Sequence, residues 1–305
     1  MVRHGPEIRC GTGRAPRYLP ARPVDASLMG ISVLTIVRNR SAHLAQLVEG
    51  LRRSDRQPDE LIIVDMSDEP VEVGAASFPV RIDRFETQGL PLAAARNRAA
   101  SLARHEMLIF LDVDCIPLRA CVGLLADTLS EHDSLLCADV RYLGPDDARG
   151  SWQECDLLER GRAHPVRSFP ARGVREESNA GLFWSLAFAL RRSSFAALGG
   201  FDEAFTGYGA EDTDFGFRAV AAGFRLLFVG QAIACHQYHE SYEPPVQHVS
   251  DIVRNAKTFH AHWKRWPMEG WLRDFERLGL VRWRGSTLEL VRLPTASEIC
   301  ALRVE

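Results

Sequence analysis

The sequence predicts an α/β protein: a mixed, mostly parallel sheet with helices on both faces, followed by a C-terminal helical extension. Three observations carry that reading. Short apolar runs alternate with segments of helical period from residue 31 onward, as strand–helix–strand units do. The run 107–111 lacks polar alternation, as a strand covered on both faces would, and stops at Asp112 and Asp114. Beyond Pro244 the composition shifts, with Trp263, Trp266, Trp271 and Trp283 set among helical patterns.

Residues 1–29 are rich in Arg, Pro and Gly without apolar period and read as a loosely attached tail. The first strand is expected at 31–37. Ser41 is placed to cap a helix that carries Leu44, Leu47, Val48 and Leu51 on one face. A second strand, 61–64, ends at Asp65, and a third is expected at 80–85. An alanine-rich helix over 92–104 precedes the 107–111 strand. A helix over 118–130 and a strand over 135–143 follow. The Gly-, Pro- and charge-rich stretch 144–178 is expected to loop over the site. A strand over 182–190, a helix over 212–222 and a short strand over 225–229 complete one domain, 30–240, with the extension at 241–305.

The chain has 305 residues, 46% of them hydrophobic, which suffices for a large core. A net charge of −3 gives no electrostatic case for nucleic acid or an anionic membrane. The seven cysteines are scattered, odd in number and form no CxxC pair, so reduced thiols and a cytoplasmic location are expected. No run reaches the ~18 apolar residues of a membrane span, so no transmembrane segment is expected.

Asp112 and Asp114 are one residue apart, and in an extended chain both would project to one side at the carboxyl end of the sheet. Open α/β sheets bind ligands there. Two carboxylates together repel unless a divalent cation, often carrying phosphate, lies between them. Either aspartate could instead simply cap the turn. The second half of the site is Gly207-Tyr-Gly-Ala-Glu-Asp-Thr-Asp214. Its glycines allow positive φ and close approach of a ligand, and Glu211, Asp212 and Asp214 fall at a helix start that favours carboxylates. Acidic residues are also ordinary dressing of a first helical turn. His236 and His239 follow a strand of the same sheet. A mixture of carboxylate and imidazole suits Mn²⁺ better than Mg²⁺, which stays possible.

With these motifs the chain resembles the GT-A glycosyltransferases, family 2-like with a C-terminal half similar to the β-1,4-galactosyltransferases. The resemblance rests on Ile36-Val-Arg-Asn-Arg-Ser-Ala-His-Leu44, Ala95-Arg-Asn-Arg98, Asp112-Val-Asp-Cys-Ile-Pro117 and the 207–214 segment, in matching order over roughly 31–240. It implies Arg38, Arg40 and Arg96 on the nucleotide or its phosphates, Asp65 on uracil and Tyr208 on the donor side. It implies Asp114 with His236 or His239 on the metal, Asp112 on the ribose or on the metal through water, and Asp212 as catalytic base supported by Glu211. Tyr208 stands where the galactosyltransferases carry tryptophan, Ala210 replaces glycine, and the ligand near position 236 is not histidine in that family. The implied activity is metal-dependent, inverting transfer of a hexosyl unit, galactose or N-acetylhexosamine, from a UDP-sugar. The acceptor hydroxyl could belong to a carbohydrate, a lipid-linked sugar, a peptide or a small molecule. Two other readings stand beside it: an inactive GT-A domain used as a binding module, and a metal-dependent nucleotidyltransferase. Against the latter, the chain has no P-loop and no lysine before Lys257.

Overall fold

The structure, a computed structural model, describes residues 30–304, so the expected tail lies outside the described residues. The chain begins β1 (Ile31–Val37), α1 (Ser41–Arg53), β2 (Glu60–Asp65), β3 (Val80–Arg84), α2 (Leu92–Leu102) and β4 (Met107–Leu111). It continues β5 (Cys115–Pro117), α3 (Cys121–Glu131), β6 (Leu135–Tyr142), α4 (Glu154–Arg160), β7 (Arg162–Ala163) and β8 (Val174–Glu176). Then come β9 (Ala187–Arg191), α5 (Arg192–Ala197), α6 (Glu211–Ala221) and β10 (Leu226–His236).

The main path of the sheet runs β3-β2-β1-β4-β9-β6-β10-β5. β1 to β4 pair in parallel, whereas β9 is antiparallel to both β4 and β6. The sheet is therefore mixed, as expected. One face is covered by α1 and α3 through Leu44, Leu47, Leu125 and Leu129. The other is covered by α2 and α6, where Ala95, Ala99, Phe215 and Ala219 pack. Every residue of β1, β2 and β4 is buried, which is why these strands read as mostly apolar runs, with Ser32 and Thr35 inside β1 and Glu60 and Asp65 at the ends of β2.

Six expectations change. Ser41 does not cap α1: it is the first helical residue, and Arg40 precedes it without a side-chain cap bond. The 182–190 strand is only Ala187–Arg191, because a 3-10 turn occupies Ala180–Leu182. The chain does not run extended through the aspartates: after β4 it turns, and the Cys115 amide donates to the Asp112 carbonyl at 2.8 Å. The two side chains meet the same region through a turn rather than through strand alternation. The 225–229 strand is the first half of an eleven-residue β10 that continues through a bulge between Val229 and Ile233 and ends at His236. The 144–178 stretch is not simply a loop. It carries α4, β7 and β8, and buries Trp152 and Leu157 against Ile116, Leu118 and Leu143. The extension is not purely helical. After β11 (Ser241–Tyr242), α7 (Val249–Trp263) and α8 (Glu269–Arg277) it forms a hairpin, β12 (Val281–Arg284) with β13 (Thr287–Leu290). It ends in α9 (Ala296–Ala301) and β14 (Arg303–Val304), which pairs with β11. No helix among the described residues is long and apolar enough to cross a membrane.

Candidate active site

Asp114 sits on the turn between β4 and β5, and β5 pairs with the end of β10 so that His236 lies opposite Cys115. That register brings His236 Nε2 to 3.4 Å from Asp114 Oδ1, and His239 Nε2 to 3.6 Å from Oδ2. Ligand atoms of Asp114, His236 and His239 all lie within 4.8 Å of one another, a group able to hold a metal ion. Burial opposes ionisation of Asp114, but His236, Arg40 and His239 outweigh it and hold its pKa below the usual carboxylate range. Burial and then Arg40 lower the pKa of His239, which favours the neutral imidazole that binds metals. Arg40, just after β1, ion-pairs with Asp114. Arg38 lies beside Asp68 at 3.9 Å.

Asp112 is not a member of that group. Its Oδ1 accepts from Arg96 at 3.1 Å, and burial, against the pull of Arg96 and with the push of Asp114, raises its pKa to about 6. Arg96, expected on the donor, is a buried bridge: its other nitrogen reaches Glu211 Oε1 at 3.0 Å. Burial disfavours its charge, yet Asp112 and Glu211 together hold the proton on more tightly than usual. Asp65, expected on uracil, lies at the end of β2. It is fully buried, and its oxygens accept from the Ser67 amide (2.9 Å), the Val71 amide (3.0 Å) and Arg84 (2.6 Å). Those three donors hold the loop after β2 and leave Asp65 away from solvent.

The 207–214 segment turns sharply into α6. Gly207 and Gly209 adopt φ of 73° and 95°, and Ala210 follows at 73°. The close approach that the glycines permit is to the extension: a Cβ at Gly207 would lie 2.2 Å from Asp251 Oδ2. Asp212 is half-buried at the start of α6, with Oδ1 accepting from the Thr213 amide at 2.6 Å and with a further bond from the Ser185 amide. Burial raises its pKa, against the opposing pull of Arg96. Burial, then Asp212, pushes Glu211 up to about 7. Asp214 is spoken for: Arg218 holds one oxygen at 2.7 Å and Trp263 Nε1 the other at 2.8 Å. The Tyr208 ring stacks on His248 at 4.5 Å.

Three contributors escaped the sequence. His43 adds to the positive field at Asp114. The Tyr142 ring lies 5.1 Å from that of His236. Asn255 of α7 donates to the carbonyls of Thr206, Tyr208 and Gly209. Only Asn255 left a signal, as an amide beside the apolar stripe of its helix, where asparagine is a poor helix former.

The glycosyl transferase family 2 profile matches residues 32–199, and the profile for the N-terminal domain of galactosyltransferase matches 165–242. Validoxylamine A glucosyltransferase of Streptomyces hygroscopicus subsp. limoneus is 26% identical over 267 residues, covering 75% of this chain and 56% of its own length. The chain thus spans about half of that relative. S. aureus TarS 1–349 in complex with UDP-GlcNAc superposes with a TM-score of 0.53 at 15% identity, over 80% of this chain and 76% of that one. GalNAc-T7 with UDP, GalNAc and Mn²⁺ gives 0.51 at 17% identity, over 70% and 44%. At such identities the solved structures establish a common GT-A fold.

Proposed function

This chain belongs to glycosyl transferase family 2, and from that premise we propose that it transfers a hexosyl unit from a UDP-sugar to an acceptor hydroxyl with inversion. The observation that carries the reading is the Arg96 bridge. It ties the Asp112–Asp114 turn to the Glu211–Asp212 helix start, so a metal-binding group and a carboxylate base face one site. Solved neighbours that hold UDP-GlcNAc, or UDP with Mn²⁺, support the donor and the ion.

Asp114, His236 and His239 would hold Mn²⁺, for which one carboxylate and two imidazoles are a fitting donor set. When bound, the ion supplies neutralisation of the charge that develops on the leaving diphosphate. Arg38 and Arg40, at the carboxyl end of β1, add fixed positive charge for the nucleotide. Asp212 takes the proton from the acceptor hydroxyl, whose oxygen attacks the anomeric carbon opposite the departing UDP. That single displacement inverts the configuration. Burial raises the Asp212 pKa, which strengthens it as a base near neutral pH. Tyr208 would border the donor sugar, and Asp112 the ribose.

Thermal melting with UDP, with and without Mn²⁺, tests the donor site. A ligand at ~100 times its Kd adds about 2.7 kcal/mol, an easily seen shift. We expect a Mn²⁺-dependent UDP shift that disappears in Asp114→Ala. No shift with UDP under any condition would remove the donor assignment.

A further inference from the structure

A cavity of ≈ 450 Å³ opens between β6, β7, the bulge of β10 and the segment 164–171. One of its lining residues, Arg167, is only 5% exposed. Its Nε and Nη2 are buried without a hydrogen-bond partner; the Cys137 thiol is in contact with the guanidinium, but no Asp or Glu among the described residues forms an ion pair with it. Three rings surround the guanidinium: Phe169, Trp184 and Phe228 lie 5.2, 5.0 and 5.0 Å from Cζ. Such rings offset part of the cost of burying a cation, but they do not supply the acceptor that a buried guanidinium needs. The carboxylate in the same cavity, Asp139, is already bound to Arg141 at 2.6 Å. With Asp139 matched by Arg141, the cavity carries one uncompensated positive charge.

Packed rings and one backbone step connect the cavity wall to the site residues. Trp184, against Arg167, immediately precedes Ser185, whose amide donates to Asp212. His164, on the cavity wall, lies 4.6 Å from the Trp184 ring and 6.0 Å from Tyr142, which borders His236. Along β6, the cavity residues Asp139 and Arg141 face the same side of the sheet as Cys137, the side that α6 covers.

We propose that this cavity is an acceptor subsite that takes an anionic group, a phosphate or a carboxylate, on Arg167, while the acceptor hydroxyl lies at Asp212. The proposal rests on the glycosyl-transfer reading for the role of the subsite, but not for its anion selectivity. Calorimetric titration of the full chain with glucose 6-phosphate, glucuronate and glucose at fixed ionic strength tests it. At least one anion should bind at least tenfold more tightly than glucose, and whichever does so identifies the source of the charge. The preference should vanish in Arg167→Met, which keeps an apolar chain inside the rings. It should vanish equally in Gln231→Glu, which sets a carboxylate at an exposed lining position, and it should persist in Asp114→Ala.

Equal binding of all three sugars, or a preference that survives Gln231→Glu, overturns the proposal and leaves Arg167 as a cation held by its rings alone. Gln231→Glu decides the matter even if Arg167→Met does not fold. UDP titration of the same proteins keeps the two readings apart. Wild type that binds the anion but not UDP would retain the subsite and sink the donor reading, and the reverse result would do the opposite.

Discussion

Glu211 and Asp212 are adjacent carboxylates with different partners, and the difference assigns their work. Glu211 Oε1 holds Arg96 while Oε2 is buried and unpaired. Asp212 is the more accessible of the two. Replacing Asp212 with Asn keeps its shape and removes its basicity, so turnover should fall by at least ~100-fold, the lower range for general-base loss. The Mn²⁺-dependent UDP shift should be unchanged, and normal turnover in this variant would exclude Asp212 as the base. Glu211 has a separate thermodynamic signature. Its folded pKa, about 7, lies above the ordinary 4.5 because burial and Asp212 disfavour its charge. The folded state therefore binds a proton that the unfolded state releases between those values. The resulting stability is fully present below about pH 4.5 and is lost as pH rises through about 7. Melting temperatures measured from about pH 5 to about pH 8 should thus decline more steeply in wild type than in Glu211→Gln. Parallel curves would show that Glu211 does not titrate in this range.

Elements whose identity depends on their own residues were legible, and those defined by distant partners were not. β1, β2 and β4 were found within a residue or so because burial on both faces leaves a short, mostly apolar run without regular polar alternation. β10 was cut short in the sequence because its bulge interrupts the pattern. Gly230 and Gln231 break the apolar run, Gln231 adopts φ 65°, and a Cβ at Gly230 would meet the Pro170 carbonyl at 2.3 Å. Apart from His43, the acidic and histidine members of the site were visible as residue types, but their pairing was not. Arg96 and Glu211 are 115 positions apart, and nothing near Arg96 distinguishes a donor-binding arginine from a bridge. Asp65 illustrates the same limit. Its position at the end of β2 was clear, while the fully buried bonding that occupies it depends on Val71 and Arg84. Proximity to a ligand-binding sheet edge does not by itself free a side chain for the ligand.

At the scale of the molecule, the extension is built into the site rather than appended to it. Phe205 and Ala210 of the loop before α6 are buried with Phe259 of α7, and Phe217 and Trp263 pack against them. Tyr208 joins the apolar cluster of the extension, which includes Ile252, Leu272 and Phe275. Asp251 accepts from the Tyr208 amide at 3.3 Å, Asn255 donates to three carbonyls of the loop, and Trp263 holds Asp214. The two profile matches end by residue 242, and we propose that 241–305 nevertheless folds as one unit with what precedes it. Removing it would take away the Asn255 amide that fixes three loop carbonyls and would return the apolar side of the 205–217 segment to water, at ~1.5–3 kcal/mol for each large side chain uncovered. Typical domains have only ~5–15 kcal/mol of stability to lose. A chain ending at Glu240 should therefore lack a cooperative thermal transition and show no UDP shift, whereas the full chain shows both. A cooperative melt in the truncated protein, with a Mn²⁺-dependent UDP shift, would show instead that 30–240 is self-sufficient. The loop would then take its conformation from Gly207, Gly209 and α6, and α7 would be a later cover over a site already formed.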